Sequence, residues 1–90
     1  MTSPVAAVLL RAADRLERDD RRTVAMSVRL FEVLRVPGRG DDYVAAVRVA
    51  AVRALASWVR REDVAAWANG RTLAEVCAAL REAAGKAEGA

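Results

Sequence analysis

Histidine is absent from this 90-residue chain, and cysteine, lysine and aromatic residues are scarce. Each shortage removes a class of chemistry. Without histidine no side chain has an ordinary pKa near neutrality, so general acid–base catalysis lacks its usual agent and metal binding its commonest ligand. The single cysteine, Cys77, excludes an intrachain disulfide and a cysteine-based zinc site. No apolar run approaches the roughly 20 residues that a membrane span needs. The short run Val5 to Leu10 follows no basic stretch, which sets it apart from a signal peptide. These absences predict a soluble cytoplasmic protein with no membrane part and no cofactor. The aromatic residues are Phe31, Tyr43, Trp58 and Trp67, fewer than a β-sheet would want.

Hydrophobic residues are abundant, at 54%, which excludes disorder for most of the length. Much of that share is alanine, the best helix former and one that lets helices approach closely. The predicted fold is all-α, a compact bundle of three longer helices plus one short helix. Ninety residues make one domain with a core near the lower limit for independent stability, and such a chain gains from self-association. The net charge is +3. Arginines alternate with acids, as in Arg11, Asp14, Arg15, Glu17 and Arg18, a pattern that fits a solvated helix face.

Ser3 and Pro4 form a helix start, the serine as N-cap and the proline at the first helical position. From there to Arg18, the residues Val5, Val8, Leu9, Ala12 and Leu16 share one apolar stripe. Asp19 and Asp20 read as the cap of a second helix reaching Arg35. That helix is apolar on two sides: Val24, Ser27, Val28, Phe31 and Leu34 on one, Met26, Leu30 and Val33 on the other. A helix of this kind is sandwiched between neighbours or lies at an interface. Val36 to Gly40, with its proline and glycines, ends it.

Asp41 and Asp42 cap a third helix to about Arg60, with Val44, Val47, Ala51, Leu55, Trp58 and Val59 as its stripe. Arg48 falls inside that stripe and is expected to snorkel to its edge or to pair with Glu32. Glu62 and Asp63 open a short helix over 64–68, closed by Asn69 and Gly70 as a left-handed stop. Thr72 and Glu75 then make a capping box for a last helix whose stripe is Leu73, Val76, Cys77, Leu80 and Ala84. The domain is thus expected over residues 1–84, with 85–90 a frayed tail.

The pattern Trp67, Asn69, Arg71, Thr72, Glu75, Val76 and then Leu80 to Ala84 resembles a family of small uncharacterised helical proteins from actinobacteria and their phages. Leu9 to Leu16 is similar to the opening helix of that family. An alanine separates Trp67 from Asn69, and Arg21 to Asp42 falls outside the likeness. The resemblance implies fold and lineage, and it brings no activity, because the family has none assigned.

Catalytic equipment is thin. The carboxylate pairs at 19–20 and 41–42 stand where helices need caps, and Cys77 lies on an apolar stripe where a thiol is inert. Pro37 to Gly40 has neither the spacing nor the lysine of a phosphate loop. A non-enzymatic interaction or accessory module follows, a homodimer or the partner of another protein, with Met26, Leu30 and Val33 as its contact face. No small-molecule substrate is indicated. The alternative is a small helix-turn-helix DNA-binding regulator over residues 64–84, with Arg60, Arg61, Arg71 and Arg81 meeting the nucleic acid. Against it, the last helix shows Glu75 and Glu82 beside Arg81, and a face near zero charge makes few phosphate contacts.

Overall fold

A computed structural model describes residues 3–21, 23–35 and 42–89. Five helices follow in chain order: α1 (Pro4–Glu17), α2 (Met26–Val33), α3 (Asp42–Val59), α4 (Val64–Asn69) and α5 (Leu73–Gly89). No strand occurs among the described residues, so the all-α expectation holds. Three helices are long, at 14, 18 and 17 residues. Two are short, α2 with 8 and α4 with 6, one more than expected.

The most extensive helix pair is α1 with α5. The two run antiparallel: Cys77 lies beside Ala13, whereas Ser3 and Ala87 border one groove. Their contact is rich in alanine, with Ala6, Ala12, Ala13, Ala83 and Ala84 buried, and Leu9, Leu16, Val76 and Leu80 interdigitating between them. α3 lies against both through Ala51 and Leu55. α2 packs on α1 and α4. Burying each large apolar side chain contributes about 1.5–3 kcal/mol, and six leucines are fully buried: Leu9, Leu16, Leu30, Leu34, Leu55 and Leu80.

Local capping follows the sequence where it is local. The Ser3 hydroxyl accepts the Ala6 N–H at 3.0 Å, with Pro4 in the first turn. Asp63 caps α4 by accepting from Ala66 N at 3.0 Å. The Thr72 hydroxyl accepts from Glu75 N at 3.2 Å while Glu75 accepts from Thr72 N at 3.1 Å, which is the expected capping box. These hydrogen bonds, first that from the Thr72 backbone, hold the Glu75 carboxyl below its usual range.

Elsewhere the structure departs from the expectation. α2 begins at Met26 rather than near Arg21, because Asp19 does not cap it. The Asp19 carboxylate instead accepts from the backbone and guanidinium of Arg21 and lies 3.6 Å from Arg29 Nε. The Arg29 and Asp19 side chains are both buried, 7% and 8% exposed, and Arg29 Nη2 also donates to the Asp19 carbonyl. Arg21 in turn reaches Glu32. A chain of alternating charge, Arg29–Asp19–Arg21–Glu32, therefore ties the α1–α2 connection onto α2. The guanidinium and backbone N–H of Arg21 hold the Asp19 carboxyl far below the usual carboxylate range.

The N-cap of α2 is Ala25, which has no capping side chain. The missing acceptor comes from 42 residues away: Asn69 Oδ1 accepts the Ser27 N–H at 2.9 Å. Asn69 thus serves α2 as well as ending α4. The left-handed stop expected at Asn69 and Gly70 is not formed, since Gly70 has φ −93°. The left-handed residue is Arg60, with φ 57°. Its N–H bonds the Ser57 carbonyl and the Arg61 N–H bonds that of Ala56, a Schellman closure of α3 on a non-glycine residue. The Asp41–Asp42 cap and the Val36–Gly40 break lie outside the described residues and side chains.

α5 continues through Gly85 to Gly89 where a frayed tail was expected, because Ala87 packs against the core. A Cβ at Gly85 would meet nothing within 4 Å. Gly85→Ala should therefore stabilise the fold by about 0.5–1 kcal/mol, read as a raised midpoint in urea or thermal unfolding. An unchanged midpoint would contradict a helix running through this position.

Candidate functional site

The face expected to make contacts lies inside the molecule. Leu30 is 0% exposed and Val33 7%, and Met26 is half-buried against the same core. Helical periodicity showed two apolar faces on α2, and packing on α1 and α4 buries Leu30 and Val33 of one with Arg29 beside them, while Leu34 of the other face is buried too, just past the last turn. Val28 is left outside, 49% exposed. With Phe31 and Ala65 it borders an open groove of about 430 Å3 between α2, α3 and α4, flanked by Glu32, Arg35 and Arg48. Arg48 is exposed and, among the described residues, makes no ion pair; Glu32 is engaged by Arg21.

The second exposed apolar surface belongs to α3. Its inner stripe is as expected through Val47, Ala51, Leu55 and Val59, except that Trp58 is 37% exposed and has Lys86 Nζ 5.8 Å from its ring centroid. The opposite side is also uncharged apart from Arg53. Ala45, Ala46, Val49, Ala50 and Ala54 border, with Val5 and Ala87, a groove of about 800 Å3. Val49 is 49% exposed. The signal was legible: from Val44 to Val59 only Arg48 and Arg53 are charged, and a helix that is apolar all round has more than one partner to satisfy.

Arg60, Arg61 and Arg71 do come together, around a groove of about 600 Å3 that Glu62, Asp63 and Trp67 also border. Arg71 lies 3.5 Å from Glu75. Arg81 is elsewhere, held by Glu17 at 2.6 Å and Asp14 at 3.2 Å on α1. Those bonds keep the Arg81 guanidinium fully charged and lower the Glu17 carboxyl below its usual range. α4 has its main contact with α2, whereas a helix-turn-helix pairs its two helices with each other. The exposed residues of α5 include Glu75, Glu82 and Glu88 beside Lys86, a mixed surface with no positive excess to draw phosphate.

Cys77 is 2% exposed, with its Sγ 3.7 Å from the Ala13 carbonyl oxygen. Burial, aided by the nearby Glu17 carboxylate, pushes the thiol above its ordinary pKa. A protonated, enclosed thiol is a poor nucleophile. The carboxylates of Asp19, Glu17 and Glu75 are likewise held charged by arginines and backbone N–H groups, and charged carboxylates of lowered pKa are weak general bases.

Leu30→Glu should fail to fold, because an unpaired carboxylate in the core costs several kcal/mol against a typical total of about 5–15 kcal/mol. Val28→Glu, two residues away on the outer face, should keep the wild-type circular dichroism spectrum and melting midpoint. A soluble, fully helical Leu30→Glu would overturn this placement of α2. No family model matches the chain, and no curated protein or solved structure shows significant similarity to it.

Proposed function

We propose that this protein is a non-enzymatic, cytoplasmic interaction module that self-associates through the outward face of α3. The observation that carries the reading is the half-exposed Val49, set among alanines at the edge of an apolar groove that α1 and α5 complete. Alanine and valine let a second helix approach closely, and the stem of Arg53 can lie over the contact while its guanidinium reaches water. A two-fold pairing of α3 with its copy would bring the same patch together from both sides. The burial gained would also help a domain of this size, whose own core is small. The enclosed Cys77 thiol, the committed carboxylates and the lack of histidine support a role without catalysis. The likeness around Trp67, Asn69, Arg71 and Thr72 supports a lineage among small actinobacterial and phage helical proteins.

Nucleic-acid binding is the second reading, favoured by the gathering of Arg60, Arg61 and Arg71 around one groove. One experiment separates the two. Light scattering on a size-exclusion column at low salt, with absorbance at two wavelengths, should give a dimer mass and a protein-like spectrum. Val49→Glu should elute as a folded monomer. A wild-type monomer at high concentration would contradict self-association. A species rich in nucleic-acid absorbance and shed by added salt would favour the second reading.

A further inference from the structure

We propose that the groove between α2, α3 and α4 is a separate docking surface for an acidic amphipathic helix of a partner protein. Its apolar floor is made by Val28, Phe31 and Ala65, and its rim carries Arg35 and Arg48. The floor is open rather than enclosed, with Val28 49% exposed. A small molecule needs about 70–90% of its surface covered, which such a groove does not provide. An apolar residue projecting from a helix needs only a seat, repeated one turn later.

Charge decides which helix fits. Neither Arg35 nor Arg48 makes an ion pair among the described residues. The one acid beside them, Glu32, is already bound by Arg21. Beyond Asp42 at its first position the sequence of α3 adds none, since no acidic residue occurs between Tyr43 and Arg61. The rim is therefore net positive, and a guanidinium on either side can take a carboxylate with two parallel hydrogen bonds. A basic partner would be repelled, and a neutral one would leave both arginines without a mate.

A second copy of this chain does not supply the match: on α1 the acids near the exposed Leu10, Asp14 and Glu17, are already held by Arg81. The exposed acids on α5 are Glu75, Glu82 and Glu88, and the exposed residue between the first two is Ala78. That surface has the charge but no large apolar anchor. The occupant the groove selects is another protein's helix, with leucine, isoleucine or phenylalanine at i and i+3 or i+4 and acids on the flanks. The proposal stands apart from self-association through α3, which depends on Val49 on the other side of that helix.

The test is selection of a displayed random-peptide library on the whole protein, followed by fluorescence polarisation of the synthesised winners. The enriched peptides should pair apolar residues at helical spacing with aspartate or glutamate. Their affinity should fall about tenfold or more, at least 1.4 kcal/mol, with Val28→Glu and with Arg48→Glu, and should weaken as salt rises. Val49→Glu should bind them as the wild type does. Both rim and floor substitutions are at exposed positions, and circular dichroism confirms that each variant is folded. Failure to enrich any peptide, enrichment of basic ones, or affinity untouched by both groove substitutions would each overturn the proposal. Binding lost in Val49→Glu alone would also overturn it and would assign recognition to the outward face of α3.

Discussion

Everything in this molecule is hung on the close antiparallel contact of α1 with α5. Alanine makes that contact possible and also limits it. Ala6, Ala12, Ala13, Ala83 and Ala84 are buried on these two helices, and a small side chain at a helix contact allows a close approach of the axes. Fixing an alanine side chain loses no rotamer freedom, but each one also removes little apolar area from water. The leucines between them supply most of the burial. α3 and the α2–α4 pair are then added to this frame, and each leaves part of its apolar surface uncovered by the other described helices.

That shortage of covering helices connects composition to function. Two exposed valines, Val28 and Val49, sit at the edges of two different grooves, on opposite flanks of α3. Among the described residues, one groove has a rim of unpaired arginines and the other is almost uncharged. The difference underlies the partners proposed for them: a like, apolar face for α3 and an acidic helix for the α2–α3–α4 groove. Polar groups elsewhere are largely spent on holding the fold, as the Arg29–Asp19–Arg21–Glu32 chain and the Arg81 clamp on Glu17 and Asp14 show.

Features decided within one helical turn were legible in the sequence. Ser3, Asp63 and the Thr72–Glu75 box cap the helices they precede, and the stripes of α1 and α5 face inward as their periodicity requires. Features decided by distant residues were not. Asp19 caps nothing because Arg21 and Arg29 claim its carboxylate, so α2 starts late. Asn69 supplies the α2 cap across the fold, which no local pattern shows. The left-handed closure of α3 falls on Arg60 and not on the Asn69–Gly70 pair that has the better composition for it. Most consequentially, two apolar faces on α2 gave no means of choosing which was inner. Met26, Leu30 and Val33 read as a contact surface, and packing against α1 and α4 buries Leu30 and Val33 and leaves Met26 half-buried beside them. The exposed side of α3 was written plainly in a helix with two charges over its last four turns, but the periodicity of its inner stripe says nothing of the opposite face.

The most direct test of α1–α5 as the frame is native-state amide hydrogen exchange, which reports the free energy of opening element by element. The slowest amides should lie in α1 around Leu9 to Leu16 and in α5 around Val76 to Ala84, with α2 and α4 opening at lower free energy. Slowest exchange in α3 or α2, with α5 exchanging freely beyond Leu80, would contradict the account.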